Sequence, residues 1–288
     1  MLTDFIGVLF DGISYGSLLF LISVGMWVTL GLMNLIDLAV GAFAMTGGYV
    51  SVFASMRLGV PFLLTLPLAF AVSAAIGVVY ERLLYRRLYK ASHLDQVLFT
   101  IGMTYMAIAA ATFFFGSGQQ PVRLPSWLQG RWHILGIDFG VYRVFLIAVV
   151  VVLTAGLQLL IQRTRFGAQV RAAVDNRDIA AGVGIHVNRL FTLVFALGCG
   201  LAGLGGGLGI QVLGLDPIFP LKYLVYFLLV VTVGGAGSIN GPLIAALVLG
   251  VFDVAGKYYV PQVGAFVIYA LMLVLLVVFP AGLRRKHG

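Results

Sequence analysis

The sequence predicts an all-α polytopic membrane protein of about 7–9 transmembrane segments, some of them interrupted by glycine or re-entrant. Three observations carry this. The composition is 61% hydrophobic and only 10% charged, where a soluble domain runs about 45–50% apolar and about 25% charged. The apolar residues fall in runs of about 20, the length a helix needs to cross the hydrocarbon core. The basic residues gather in three short segments. A chain so poor in polar residues cannot cover a soluble surface. An ordinary cytosolic enzyme, a disordered chain and a nucleic-acid binder are therefore excluded. The net charge of +8 reflects loop placement in a bilayer rather than a nucleic-acid partner.

Taken in order, apolar segments stand at 13–33, 38–56, 60–80, 97–115, 141–162, 190–213 and 262–280. Asp4 and Asp11 precede the first, and no basic residue occurs before Arg57. That predicts an uncleaved first segment with its N-terminus outside. Between the last two segments, Tyr223–Gly234 and Leu243–Gly256 are apolar but short, separated by Gly235-Ala236-Gly237-Ser238-Ile239-Asn240-Gly241-Pro242. They form either two short helices or a re-entrant pair. The runs lack the alternation of a membrane barrel. The single cysteine, Cys199, lies inside an apolar run and reads as a small buried hydrophobe.

The basic clusters set the orientation. Arg82, Arg86, Arg87 and Lys90 form one, Arg163, Arg165, Arg171, Arg177 and Arg189 a second, and Arg284, Arg285 and Lys286 a third. The positive-inside rule places all three in the cytoplasm, the C-terminus with them. The 116–140 loop, with Pro121, Pro125, Trp127 and Trp132, then lies outside. Seven crossings plus a re-entrant pair satisfy this arrangement, and so do nine. One transmembrane domain accounts for 1–288.

No catalytic constellation is visible. The histidines lie in loops or the tail, and no nucleophile–base pair or Cys/His metal spacing occurs. The glycine run Gly203–Gly209 lacks the Lys-Ser/Thr of a phosphate-binding loop and sits in a span, so close helix packing explains it. The chain is expected to be no enzyme, to hold no cofactor or metal, and to hydrolyse no ATP itself.

Two breaks stand out. One is Asn34-Leu35-Ile36-Asp37-Leu38-Ala39-Val40-Gly41, followed by Gly47-Gly48-Tyr49; the other is Gly235–Pro242. Interrupted segments at corresponding places in two halves point to a transport pathway, because unwound backbone is tolerated at membrane depth only when buried in protein or facing water. The plainer alternative is two tight turns at the membrane surface with Asn34, Asp37, Ser238 or Asn240 as helix caps. The candidate pathway residues are Asn34, Asp37, Thr100, Gly235, Gly237, Ser238 and Asn240. Asp37 either lines the path or caps the second span; Thr100 either faces the path or back-bonds to its own helix. Asp253 and Lys257 are spaced as an i,i+4 ion pair.

The 163–189 loop is longer than a connector needs to be. Val170, Ala173 and Val174 fall on one helical face, and Gly182 and Gly184 can stop a helix. A short amphipathic helix there would suit a cytoplasmic partner; the alternative is a solvated basic loop that only fixes topology.

At this loop the sequence resembles a family. Arg163-Thr164-Arg165-Phe166-Gly167, then Arg171-Ala172-Ala173, Asp175, Ala180 and Gly184-Ile185-His186-Val187-Asn188-Arg189 are similar to a long-spaced signature of permeases in ABC importers for branched-chain amino acids, the hydrophobic amino acid uptake family. Gly31–Phe43 with Gly47-Gly48-Tyr49 resembles its early Asn-Leu-Ala-His-Gly region, with Asp37 where Asn is common and Val40 where His is common. Gly234–Gly241 resembles its late glycine motif, and Phe279-Pro280-Ala281-Gly282-Leu283 its ending.

The resemblance implies an inverted-repeat permease core in a bacterial inner membrane, working by alternating access. It implies a second permease subunit as heterodimer or homodimer partner, two ATP-binding cassette subunits and a periplasmic solute-binding protein. It assigns ATPase coupling to Arg163, Arg165, Gly167, Arg171, Ala172, Asp175, Asp178, Ala180 and Gly184. The solute expected is a branched-chain amino acid or a related small polar or amphipathic molecule. The alternative is a stand-alone facilitator or channel for a small solute such as urea or an amide. An aquaporin-type channel would need a matched Asn-Pro-Ala in both halves, which Asn34-Leu35-Ile36 does not supply. A membrane enzyme is the least supported class.

Overall fold

The computed structural model describes residues 2–33, 35–88, 91–122, 124–134, 137–235, 237–262 and 264–278. The helices are α1 Leu2–Met33, α2 Val40–Arg57 and α3 Phe62–Tyr80, which runs through a π-helical turn, Glu81–Tyr85, into α4 Arg86–Leu88. Then come α5 His93–Phe115, α6 Val141–Arg163, α7 Arg165–Asp175, α8 Arg177–Gly182, α9 Val187–Leu213, α10 Phe219–Gly234, α11 Asn240–Tyr259 and α12 Gly264–Val278. Among the described residues, six helices are long and apolar enough to cross a membrane: α1, α3 with its extension, α5, α6, α9 and α11. The protein is an all-α, multi-pass membrane protein. One feature departs from the predicted all-helical pattern. The 116–140 loop holds a small antiparallel hairpin, β1 Arg131–Ile134 with β2 Ile137–Gly140, in which Trp132 pairs with Phe139.

Burial separates the centre of the bundle from its rim. In α1 and α9, 83% of the most apolar window is buried, against 17% in α5 and 22% in α6. The outer helices present bare apolar faces, such as Met106, Phe113 and Phe114 of α5. The central ones pack through glycine. A Cβ at Gly206 would run into the Ala44 carbonyl, and one at Gly203 into Ser73. The Gly203–Gly209 run is thus a packing surface, as the sequence suggests. Cys199 is buried against Gly77.

The packing contains an exchange. α1 lies along α11, with Gly12 at Val251 and Gly16 at Ala246; α9 lies along α3, with Gly203 at Ser73 and Gly77 at Ala196. Both pairs are antiparallel, because rising numbers on one helix meet falling numbers on the other. α1 and α9 are antiparallel too, with Gly25 at Gly198 and Ile22 at Gly205. The two units α1–α2–α3 and α9–α10–α11 therefore repeat one arrangement in opposite orientations, each lending its third helix to the other's first. Within each unit a break separates the first two helices (35–39 and 214–218), and a turn with a left-handed glycine separates the next two. That glycine is Gly59 at φ +66° in one unit and Gly235 at φ +77° in the other.

This corrects the correspondence drawn from sequence. The partner of the 34–41 break is 214–218, not 235–242, which matches the turn at 58–61 instead. Leu213-Gly214-Leu215-Asp216-Pro217-Ile218 is too apolar to stand out, so the second break reads as the end of the preceding span.

Candidate functional site

The break between α1 and α2 lies inside the bundle, beside Thr100, about two turns into α5. Four of its backbone N–H groups have partners. Leu35 N donates to Thr29 O at 3.1 Å, Ile36 N to Gln96 Oε1 at 3.1 Å, Leu38 N to Thr100 Oγ1 at 3.3 Å and Ala39 N to Asp37 Oδ1 at 2.9 Å. Gln96 and Thr100 stand one turn apart on α5 and act as a two-point clamp. Thr100 also back-bonds to Gln96 O at 2.9 Å, the second of its sequence readings, and is not among the residues that line the cavity along α2. Asp37 is buried and receives the Tyr85 hydroxyl at 3.0 Å as well as the Ala39 amide. It holds the turn ahead of α2 but is not its N-cap: that position is Ala39, which has no side-chain cap. Asn34 lies outside the described residues.

The break between α9 and α10 is held differently. Gln120 N donates to Leu215 O at 2.8 Å, and Phe219 N to the Asp216 backbone carbonyl at 3.1 Å. The Tyr223 hydroxyl donates to Leu213 O at 2.8 Å. Asp216 stands three residues before α10, as Asp37 stands three before α2. The two broken helices begin side by side: a Cβ on Gly41 would sit 2.8 Å from the Pro220 Cα.

A cavity of about 240 Å³ runs along α2 from one break toward the other, between α2, α3 and α5. Ala39 and Ala42 line its first end, Ala107 and Phe114 its flank, and Thr46 and Tyr49 its far end. Its walls are apolar apart from hydroxyls, which suits a short aliphatic side chain. None of its α5 lining residues was singled out from sequence.

The remaining sequence-selected pathway residues go elsewhere. Gly237, Ser238 and Asn240 line a second cavity, of about 450 Å³, with Trp27, Gln158, Arg171 and Asp175. Asn240 Oδ1 accepts from Gln158 Nε2 at 2.5 Å. Gly235 forms the preceding left-handed turn, and Gly241 packs on Gly234. This connection is a tight turn at the end of the bundle that carries α7 and α8. It is brought to Arg171 and Asp175, and not to Asp37 and Thr100.

At that end, the expected single amphipathic helix is two. Thr164 Oγ1 caps α7 by accepting Gly167 N at 3.1 Å. Asn176 Oδ1 caps α8 by accepting Asp178 N at 3.0 Å and Ile179 N at 2.9 Å. Asn176 is therefore the interruption that the sequence reading passed over. Gly167, Val170, Ala173 and Ala180 face inward; Gly167 leaves no room for a side chain beside the Ile161 carbonyl. Val174 does not share that face and is exposed. Arg163, Arg165, Arg171, Ala172, Asp175 and Asp178 stand on the open surface with Ile179 and Val183, and Arg171 donates to Ile161 O. Gly184, at φ +91°, ends α8.

Two buried acids have structural partners. Asp253 pairs with Lys257 at 2.5 Å, as its spacing predicts, and receives the Tyr226 hydroxyl at 3.2 Å. Glu81, unremarked in the sequence, lies in the π-helical turn and binds Arg86 at 3.2 Å and the Thr192 hydroxyl at 2.6 Å. Tyr85, Gln96 and Asp216 were likewise missed. The i,i+4 polar series Gln96, Thr100, Thr104 on an apolar helix was the available signal for the clamp.

With this geometry in hand, comparison with known proteins decides the family. Residues 8–276 match the family described as branched-chain amino acid transport system / permease component. The chain belongs to this family. It is 28% identical to the high-affinity branched-chain amino acid transport system permease protein LivH of Salmonella typhimurium, over 97% of this chain and 95% of that one. The corresponding protein BraD of Pseudomonas aeruginosa is 28% identical, over 96% and 94%. The probable LivH of Methanocaldococcus jannaschii is 25% identical, over 98% and 91%. No solved structure matches the chain significantly. The chain is thus a permease component, a membrane subunit that works in an ABC transport system with other subunits. The family's late glycine motif falls on the α10–α11 turn; its C-terminal motif, 279–283, lies outside the described residues.

Proposed function

We propose that this chain is the membrane-spanning permease subunit of an importer for branched-chain amino acids or closely related small amphipathic solutes. The observation that carries the reading is the cavity along α2. It starts at Ala39 of the first break and reaches Tyr49, which lies within electrostatic range of Asp216 in the second, in a chain that belongs to a branched-chain amino acid permease family over nearly its full length. The apolar walls take the aliphatic side chain, and the breaks supply polar groups at membrane depth. The first break, whose amides Gln96 and Thr100 hold, stands at the Ala39 end, and Asp216 of the second stands within electrostatic range of Tyr49 at the other.

The α7–α8 end faces the cytoplasm, in keeping with the positive-inside rule, and the β-hairpin end faces outward in the bacterial inner membrane. The whole chain is one permease domain. Two ATP-binding cassette subunits dock on the exposed face of 163–189 and hydrolyse the ATP, since this chain has no phosphate-binding loop of its own. A second permease subunit completes the membrane unit, and a periplasmic binding protein delivers the solute to the hairpin end. ATP-driven motion of α7 and α8 reaches the core through the α10–α11 turn, whose Gly237, Ser238 and Asn240 share a cavity with Arg171 and Asp175. Alternating access follows from rocking of the two inverted units.

Reconstitution in vesicles with these partners tests the reading. Uptake of L-leucine should require both ATP and the loaded binding protein. Uptake that persists without ATP and without the ATPase would instead establish the stand-alone facilitator.

A further inference from the structure

We infer that Asp216 and Tyr49 form a recognition point for the ammonium group of the transported solute, in the half of the pathway nearer the β-hairpin; this rests on the pathway proposed above. The inverted units place Asp216 where Asp37 stands in the first. Their carboxylates are used differently. Asp37 Oδ1 accepts Ala39 N and the Tyr85 hydroxyl. At the second break Phe219 N, the first amide of α10, donates to the Asp216 backbone carbonyl, and no amide reaches the Asp216 Oδ1. Asp216 Oδ1 is left buried without a hydrogen-bond partner.

A second buried group beside it is also unmatched. The Tyr49 hydroxyl has no hydrogen-bond partner, although Tyr49 is only 4% exposed. Asp216 lies within electrostatic range of the Tyr49 and Tyr223 hydroxyls. Tyr223 already donates to Leu213 O. Lys222, the cation on the same helix, sits over the Tyr223 ring at 5.3 Å, and among the described residues Asp216 makes no ion pair.

Buried polar groups are rarely left unmatched, and a buried carboxylate oxygen least of all. What the pair lacks is a compact donor carrying positive charge. An ammonium group supplies three N–H donors and the charge; a carboxylate or a hydrocarbon supplies neither. Tyr49 also lines the α2 cavity. A solute held by its ammonium group at Asp216 can therefore lay an aliphatic side chain along Ala42 and Ala107. The site thus selects an amphipathic amine of the α-amino acid class.

The assembled transporter tests this. Asp216→Asn and Tyr49→Phe complexes are reconstituted with the wild-type ATPases. L-leucine uptake is read at saturating loaded binding protein, with ATP hydrolysis measured alongside. Loss of one charge-assisted contact should lower uptake by Asp216→Asn roughly tenfold, and by Tyr49→Phe less. Hydrolysis stimulated by the binding protein should persist, so more ATP is spent per leucine. Unchanged uptake by Asp216→Asn overturns the inference. So does a parallel fall in uptake and hydrolysis, which marks a structural role. If Asp216→Asn fails to assemble, Tyr49→Phe decides, and its wild-type uptake is the overturning result. Absence of leucine uptake by the wild-type complex overturns the pathway reading first, and the inference with it.

Discussion

Gly16 on α1 and Gly250 on α11 face each other where the two inverted units exchange helices. A Cβ at Gly16 would lie 2.5 Å from the Ala246 carbonyl oxygen and 2.9 Å from the Leu247 Cα. Non-bonded carbons pack at about 3.5–4.0 Å, so Gly16→Ala must part the helices by about 1 Å. The obstructing atoms are backbone and cannot rotate aside. Overpacking of this kind costs about 1–3 kcal/mol. Alanine also gains up to about 1 kcal/mol of helix propensity over glycine. Gly156→Ala on α6 gains that term with no atom within 4 Å of the new methyl, so it is the matched control. The difference between the variants then isolates packing, at about 1–3 kcal/mol, or roughly a factor of 5–150 in equilibrium constant. Thermal unfolding of the purified protein in detergent reads it out: Gly16→Ala should melt several degrees below Gly156→Ala. Equal midpoints would refute the close α1–α11 crossing and the helix exchange built on it.

Other outcomes follow from the same contacts. Tyr85→Phe removes a donor to the buried Asp37 and should cost about 1.5–3 kcal/mol of stability, read by the same unfolding assay; an unchanged midpoint would mean the carboxylate has another partner. Gln96→Ala frees Ile36 N and should cost about 1–3 kcal/mol, with slower uptake at normal assembly; uptake at the wild-type rate would detach the clamp from transport. Ile179→Asp, on the open face of α8, should abolish co-purification of the ATP-binding subunits while leaving the permease's own melting point unchanged. Retained binding would move the docking surface elsewhere.

Much of the fold was legible because bilayer physics writes long apolar runs and places arginines between them. Helix ends with local causes were also legible. Asp253 and Lys257 pair as their spacing predicts, and Gly184 ends α8. What escaped depends on long-range packing. Asp216 sits in an apolar stretch, and only the pairing of α1 with α11 and of α9 with α3 identifies it as the counterpart of Asp37. The 235–242 segment drew attention through its glycines, yet those glycines serve a tight turn in which Gly234 and Gly241 touch. Gln96 shows the same limit. Its role comes from an amide 60 residues away, which no local pattern reveals.

The claim that the pathway follows α2 between the two breaks has a direct test. Ala107 lines the cavity from α5 and belongs to neither break. In the assembled transporter, with Cys199 replaced by serine, Ala107→Cys is treated with a small water-soluble thiol reagent and leucine uptake is measured. A pathway along α2 predicts that the cysteine is modified, that leucine slows the modification, and that modified transporter no longer carries leucine. Modification that leaves leucine uptake intact would contradict it.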